Sequence, residues 1–184
     1  MILNIIQKRR SVFPVQYNDK PITKEQIAQV LEAANWAPNH RKTEPWRFKV
    51  LQGNSKDALG TFLANKYQEI EAKPKKIKIK KLLENPSKAR AIIAICMQRD
   101  LSESVPEWEE IAATAMAVQN MWLACTELEI GSYWSSPGLI KYMDEFFELC
   151  EGERCLGFFY MGYYNESLQE GVRRPIDEKV EWME

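Results

Sequence analysis

The sequence predicts an α+β fold in which a small sheet packs against a central helix. Segments with helical periodicity alternate irregularly with short apolar segments, without the regular strand-helix-strand repeat of a parallel fold. One helical segment, Ile111 to Leu128, is apolar nearly all around and therefore suits the centre of a core. The chain has 184 residues, 45% of them apolar, so we expect a single domain spanning 1–184.

Two helices are predicted in the N-terminal part of the chain. The apolar residues within 2–10 fit one short helix, which Pro14 prevents from running on. Thr23 followed by Gln26 is typical of a capping box, and the apolar positions after it have helical spacing. We expect this second helix to end near Pro38.

A strand, a helix and a basic segment are predicted next. In "RKTEPWRFKV" the apolar residues Trp46, Phe48 and Val50 alternate with charged ones, so we expect these three to form the core face of a strand. Residues 56–72 have helical spacing. The segment "KPKKIKIKK", 73–81, holds six lysines in nine residues and is interpreted as a solvated, mobile segment or lid.

Two later segments are predicted to be buried strands. "ARAIIAICM", 89–97, is a continuous apolar run with β-branched residues. "CLGFFYMGYY", 155–164, is similarly apolar, and its glycines Gly157 and Gly162 indicate places where another group approaches the backbone closely.

Between and after these strands we expect a short strand, a helix and a polar tail. The short strand follows Gly131, and the helix covers 139–147 with Ser136 as its cap and Pro137 in its first turn. Residues 165–184 are polar and have no core of their own, which is typical of a tail that frays or wraps around a partner.

The composition argues against several classes of protein. A net charge of -1 does not favour nucleic acid or anionic membranes, and the lysine-rich segment lacks aromatic residues that could stack on bases. No apolar run approaches a membrane span and the N-terminal apolar stretch is too short for a signal peptide, so we expect a cytoplasmic protein. A single histidine and unpaired cysteines predict no metal site. The cysteines, interpreted as small core residues, are Cys96, Cys125, Cys150 and Cys155.

Four polar motifs are candidates for binding or chemistry, and each also has a structural explanation. The arginines and serine of "KRRS" could bind a phosphate or complement a helix dipole. His40, in "WAPNHRKTEPW", belongs to either a polar turn or a loop that reaches a ligand. "YWSSPG" offers hydroxyls and free N–H groups, although capping alone explains Ser136. The arginines of "GVRRP" are either solvated or part of a phosphate site.

The common nucleotide and hydrolase motifs are absent. None of the eight glycines forms GxGxxG or GxxxxGK[ST], which removes the sequence support for a Rossmann or P-loop site. No serine lies in GxSxG, and a hydrolytic triad would depend entirely on the single histidine.

Taken together and in this order, "KRRS", "AANWAPNHRKTEPWRFKV", "YWSSPG" and "RRP" resemble the FMN-dependent nitroreductase family, and most closely its small, short-chain branch. The resemblance covers nearly the whole chain. It implies a mainly antiparallel central sheet flanked by helices, and an intertwined homodimer whose C-terminal arms, here 165–184, cross to the other subunit. It also implies FMN bound at two equivalent sites in the dimer interface.

The resemblance assigns roles to residues by position. Arg9 and Ser11, with Arg10 adjacent, would contact the phosphate and ribityl region of FMN, and Arg173 would close on the phosphate. The loop after Pro38 would serve the flavin of the other subunit through Asn39 and His40, and Trp36 would also touch the cofactor. The residues that would line the isoalloxazine ring are Trp134, Ser135 and Ser136.

The function implied is an NAD(P)H-dependent FMN oxidoreductase. NADH or NADPH would give hydride to flavin N5, leave, and be followed by a nitroaromatic, a quinone or a similar small planar acceptor. His40 would orient the ring or donate a proton, and the first role is favoured. The alternatives are another flavin reaction on the same fold, and a flavin-binding sensor or storage protein without turnover.

Overall fold

The computed structural model describes residues 2–183 of the chain. These residues form five α-helices and four strands in an irregular order, together with four short 3₁₀ segments. The helices are α1 Ile2–Lys8, α2 Lys24–Asn35, α3 Asn54–Ile70, α4 Lys76–Lys88 and α5 Glu107–Glu127. The strands are β1 Trp46–Leu51, β2 Ala91–Gln98, β3 Gly131–Ser135 and β4 Glu153–Gly162. The 3₁₀ segments are Pro14–Gln16, His40–Lys42, Gly138–Glu145 and Ile176–Lys179.

The four strands form one antiparallel sheet in the order β1-β2-β4-β3. The two inner strands, β2 and β4, are the apolar runs predicted to be buried, and this prediction is confirmed. They are apolar on both faces because both faces of the sheet are covered. Helices α2 and α5 lie on one face, and α3 with the 3₁₀ segment Gly138–Glu145 lies on the other.

Helix α5 is the central helix that the sequence predicted. Its inward side packs through Ala113, Ala117, Val118 and Met121 against the sheet and against α2. The outward side is also apolar but is not covered by the described chain, since Trp108 and Met116 are exposed. Helix α1 packs beside α5 without burying any of its residues.

Both strand glycines are approached by aromatic side chains, as predicted. A Cβ at Gly157 would lie 2.2 Å from Trp134 Nε1, and one at Gly162 would lie 2.4 Å from Tyr17 Cγ. Gly157 also has φ of +150°, a conformation that L side chains rarely adopt. These glycines therefore let two side chains cross the inner strand at close range.

The lysine-rich segment differs from its prediction. Most of it begins the regular helix α4, in which Ile79 and Leu82 pack against the layer formed by α3 while the lysines remain in solvent. The charge run therefore marks the outer face of an amphipathic helix rather than a mobile lid.

Three smaller predictions were wrong. The helix predicted over 139–147 is a 3₁₀ segment that follows Pro137, and the Ser136 side chain does not cap it. Val50 is exposed, because β1 is an edge strand. Of the three residues predicted to form its core face, only Trp46 and Phe48 reach the α5 side of the core. Cys150 is exposed in the turn before β4, whereas the other three cysteines are buried as expected.

No helix within 2–183 has the length and apolar character needed to cross a membrane.

Candidate functional site

The motif "KRRS" lies where α1 ends and the chain turns toward the sheet. Arg9 closes the last helical turn by donating from its backbone N–H to the Ile5 carbonyl oxygen at 2.9 Å. Ser11 then forms a parallel bridge with Ser132 of β3, and the Val12 N–H donates to the Ser132 carbonyl oxygen at 3.1 Å. The arginines therefore lie beside the outer edge of β3.

Trp122 of α5 holds both arginines in place. The Arg9 guanidinium lies over the Trp122 ring, 4.6 Å from the ring centroid, and the indole Nε1 donates to the Arg10 carbonyl oxygen at 3.2 Å. The Arg10 guanidinium is fixed by carbonyl oxygens, at 2.6 Å from Gln7 and 2.9 Å from Gln169. Gln169 belongs to the C-terminal tail, so the beginning of that tail folds back over α1.

A cavity of about 970 Å³ lies between α1, α5 and the tail, and it brings four of the predicted site residues together. Its volume is in the range of sites for small molecules and cofactors. The predicted residues that line it are Arg9, Arg10, Ser11 and Arg173.

This cavity carries uncompensated positive charge. Burial lowers the pKa of Arg9, and the nearby charges of Arg173 and Arg10 lower it further. Within the described residues, no carboxylate comes within 4.0 Å of any of the three guanidinium groups, although Glu170 lines the same cavity. Three clustered guanidinium groups without an ionic partner form a site suited to an anion such as a phosphate.

Trp134 lies two residues beyond Ser132 on the edge strand β3. Its indole is half-buried over Gly157, and Nε1 donates to the Leu156 carbonyl oxygen at 3.4 Å. Backbone groups of an antiparallel edge strand alternate in direction. Because Ser132 already bonds outward to Val12, the N–H and C=O of Trp134 also face the free edge. Ser135 and Ser136 continue this edge, and Ser136 is exposed.

The loop with Asn39 and His40 is tightly organised. His40 Nδ1 lies 2.6 Å from Glu109 Oε2 at the start of α5. This contact leaves Nε2 free on an imidazole that is 57% exposed. The Asn39 side-chain oxygen accepts from the Glu44 N–H at 3.2 Å and so closes the loop.

Trp36 stands at the entry to this loop. It is 80% exposed and donates from Nε1 to Glu32 at 2.9 Å. The ring therefore lies in solvent beside the loop.

Within one chain, the loop does not reach the arginine cavity. Glu109, which binds His40, and Trp122, which holds the arginines, are both on α5 and are thirteen residues apart. At a rise of 1.5 Å per residue this is roughly 20 Å along the helix. The structure thus brings together Arg9, Arg10, Ser11 and Arg173, with Trp134 on the adjacent edge strand, and separates them from Trp36, Asn39 and His40.

The comparison with known sequences decides the family. The sequence model of the Nitroreductase family matches residues 6–163. The chain belongs to the nitroreductase family. The match begins within α1 and ends one residue beyond β4, so it contains most of the predicted site residues.

Individual relatives of this nitroreductase-family protein cover nearly all of its length. The "Putative NAD(P)H nitroreductase YfhC" of Bacillus subtilis is 29% identical over 185 residues, which span 97% of this chain and 92% of the relative. The crystal structure of a nitroreductase-like family protein from Bacillus cereus is 30% identical, with a TM-score of 0.88, and the match covers 100% of this chain and 96% of that one.

A more distant match shows the fold alone. It is the "putative nitroreductase in complex with fmn" of Desulfovibrio desulfuricans, 24% identical with a TM-score of 0.75 over 97% of this chain and 94% of that one.

Three residues around the candidate sites of this nitroreductase-family protein could not be identified from the sequence. Glu109 is one of several glutamates in "PEWEE", Trp122 is one apolar residue of a long helix, and Gln169 is a polar residue of the tail. Their contacts to His40, Arg9 and Arg10 join segments far apart in the chain. No local pattern in the sequence signals such pairings.

Proposed function

We propose that this protein is an FMN-dependent NAD(P)H oxidoreductase that acts as a homodimer. The observation that carries the proposal is the cluster of Arg9, Arg10 and Arg173 around one cavity without an ionic partner in the described chain. FMN ends in a phosphate, and guanidinium groups bind phosphate through paired, charge-assisted hydrogen bonds. The Ser11 hydroxyl at the same cavity would add a further donor.

The adjoining edge of β3 suits the other end of the cofactor. Trp134 offers a backbone N–H and a C=O on the free edge, so these groups would hydrogen-bond the polar rim of the isoalloxazine ring. Ser135 and Ser136 would complete this rim. Bound FMN would supply the two-electron exchange between NAD(P)H and the acceptor.

Assembly as a dimer would complete the site. A single chain keeps His40 and the arginines roughly 20 Å apart along α5. The apolar outer side of α5 and the exposed residues Ile2, Leu3 and Ile6 of α1 form a surface that a second copy would cover. With the two α5 helices packed together, Trp36, Asn39 and His40 of one subunit would serve the flavin of the other.

In this arrangement the donor and the acceptor use one slot in turn. Trp36 and His40 would limit the slot to planar molecules such as the nicotinamide, a nitroaromatic compound or a quinone. Glu109 would accept a hydrogen bond from His40 Nδ1 and so hold the imidazole ring in one orientation beside the slot. We favour orientation over proton donation because a lone, exposed histidine is seldom essential.

The proposal is tested by measuring the flavin absorbance of the FMN-loaded protein. Purified protein loaded with FMN should be bleached at its flavin absorbance by NADH or NADPH under anaerobic conditions, and recoloured by a nitroaromatic compound or a quinone. A protein that binds FMN but is bleached by neither nucleotide would be a sensor or storage protein instead. A protein that cannot take up FMN would refute both flavin functions.

A further inference from the structure

A second cavity lies directly behind the His40 loop. It has a volume of about 700 Å³ and is lined by four parts of the chain: the turn that follows His40, the start of β1, the connection between β2 and α5, and the turn before β4. None of the residues assigned to FMN lines it. The residues that contribute side-chain cations are Arg41, Lys42, Arg47 and Arg99.

Three of these cations have no ionic partner. Across residues 2–183, no carboxylate lies within 4.0 Å of the charged groups of Arg41, Lys42 or Arg47. Arg47 is held in position because its Nη1 donates to the carbonyl oxygens of Glu44 at 3.0 Å and Trp46 at 2.9 Å. The rest of its guanidinium remains available to a ligand.

The other charged groups of the cavity are mostly occupied. Arg99 pairs with the buried Glu110. Both oxygens of the Asp100 carboxylate accept hydrogen bonds from Ser102, and one of them also accepts from Ser104. Glu151, the remaining carboxylate, does not balance three free cations. The cavity therefore has an excess of positive charge that an anion would neutralise.

The backbone that presents two of the cations is strained and rigidly closed. Arg41 and Lys42 have φ of 51° and 56°, in the left-handed region that is unfavourable for residues other than glycine. Hydrogen bonds hold the turn, from the Glu44 N–H to Asn39 at 3.2 Å and from the Thr43 N–H to His40 at 3.3 Å. Such conformations persist where the surroundings impose them, often at ligand sites.

We propose that this cavity binds the ribose 2′-phosphate of NADPH and makes the protein selective for NADPH over NADH. The inference rests on the proposed function, in which His40 stands at the flavin where the nicotinamide stacks. Because Arg41 and Lys42 follow His40 directly, the adenosine half of the same nucleotide would extend toward them. A 2′-phosphate is doubly charged and matches the Arg47 fork, whereas NADH has only a hydroxyl there.

Binding of nucleotide fragments tests the inference without any turnover. Calorimetry on the FMN-loaded protein should show that adenosine 2′,5′-bisphosphate binds about tenfold or more tightly than 5′-AMP. Arg47→Gln and Lys42→Asn should each remove most of this preference while leaving 5′-AMP binding unchanged. Asn is chosen at position 42 because it tolerates the left-handed backbone. Lys76→Asn, on the distant helix α4, removes the same charge as a control and should have no effect.

Steady-state kinetics distinguish whether the cavity binds the 2′-phosphate of NADPH or the carboxylate of an acidic acceptor. In Arg47→Gln, kcat/KM should fall about tenfold for NADPH and stay unchanged for NADH. The variant should reduce nitrobenzene and 4-nitrobenzoate at the same rates as wild type does. Loss confined to 4-nitrobenzoate would overturn the inference, because the cavity would then bind acidic acceptors.

The inference and the proposed function fail in different ways. Equal binding of the two nucleotide fragments, together with bleaching by both NADH and NADPH, would overturn the inference and leave the proposed function intact. No bleaching by either nucleotide, together with selective binding of adenosine 2′,5′-bisphosphate, would refute the function and leave the phosphate site standing. A melting temperature near that of wild type confirms that each variant is folded.

Discussion

At the scale of single residues, Arg9 shows how burial and like charge create a binding site. Its guanidinium lies over Trp122, loses part of its hydration and lies near two further arginines. Burial lowers the pKa of Arg9, and the charges of Arg173 and Arg10 lower it further, because all three disfavour the charged form in the free protein. A bound anion would reverse this by supplying the missing opposite charge.

Replacing either Arg9 or Arg173 with alanine should weaken FMN binding by about 1.5 to 3 kcal/mol, the scale of a charge-assisted hydrogen bond. Quenching of free flavin fluorescence on titration with apoprotein measures this affinity. Arg174→Ala is the matched control, because Arg174 is adjacent to Arg173 but pairs with Glu178 and does not line the cavity. Unchanged affinity in both Arg9→Ala and Arg173→Ala would refute the assignment.

Glu109→Gln should slow reoxidation of the reduced enzyme by a nitroaromatic compound about tenfold, the effect typical of losing a partner that orients a histidine. Affinity for FMN should stay close to wild type, since Glu109 is far from the arginine cavity. Stopped-flow absorbance separates the two half-reactions. His40→Gln should have a similar effect.

The control for this experiment is Glu107→Gln. Glu107 lies in the same first turn of α5 but pairs with Arg154. If Glu109→Gln reoxidises as fast as Glu107→Gln, the His40 contact has no part in acceptor reduction.

At the scale of secondary-structure elements, α5 links the His40 loop to the arginines of the proposed site. Its first turn binds His40, its last turns hold Arg9 and Arg10 through Trp122, and its inward side packs on the sheet. The outward side is apolar but is exposed in the described chain. An apolar face on a helix that already has a core face indicates an interface with another chain.

Met116→Glu should shift the protein from dimer to monomer and reduce its FMN content, because it places a charge on the outward side of α5. Sedimentation velocity and the flavin absorbance per chain measure the two effects. Leu83→Glu is the matched control, since Leu83 on α4 is 42% exposed and Met116 is 40% exposed. A Met116→Glu protein that remains dimeric would place the subunit contact elsewhere.

At the scale of the whole molecule, the C-terminal tail has two parts. Residues around Gln169 and Arg173 fold back over α1 and line the arginine cavity. Beyond them, Ile176 and Trp182 are exposed. The first part therefore has a place in its own chain, and the second has apolar side chains that only a partner would cover.

Truncation after Tyr164 should yield a monomeric or insoluble protein that does not retain FMN, since it removes both parts of the tail. Truncation after Arg174 keeps the cavity residues and should weaken the dimer while leaving a measurable affinity for FMN. Gel filtration with light scattering and flavin titration report the two properties. A soluble FMN-bound dimer after the shorter truncation would contradict the arm exchange.

Much of the fold could be predicted from the sequence because its signals are local. Alternation identified β1, continuous apolar runs identified β2 and β4, and the Thr23 capping box began α2 at the right residue. The errors have local causes as well. The six lysines of 73–81 favoured a mobile segment over the narrow apolar stripe that belongs to α4. Ser136 is a typical cap residue, but it precedes a 3₁₀ segment that it does not cap.

The candidate site, like the fold, could be predicted only in part from the sequence. The sequence by itself determined the α+β class and the candidate motifs, because propensity, capping and apolar periodicity act over a few residues. Only the tertiary structure could decide that Arg9 and Arg173 line one cavity, that Glu109 binds His40, and that this loop lies roughly 20 Å from the arginines along α5. These relations join residues distant in the chain, and they arise from packing around one central helix, which no short pattern of residues encodes.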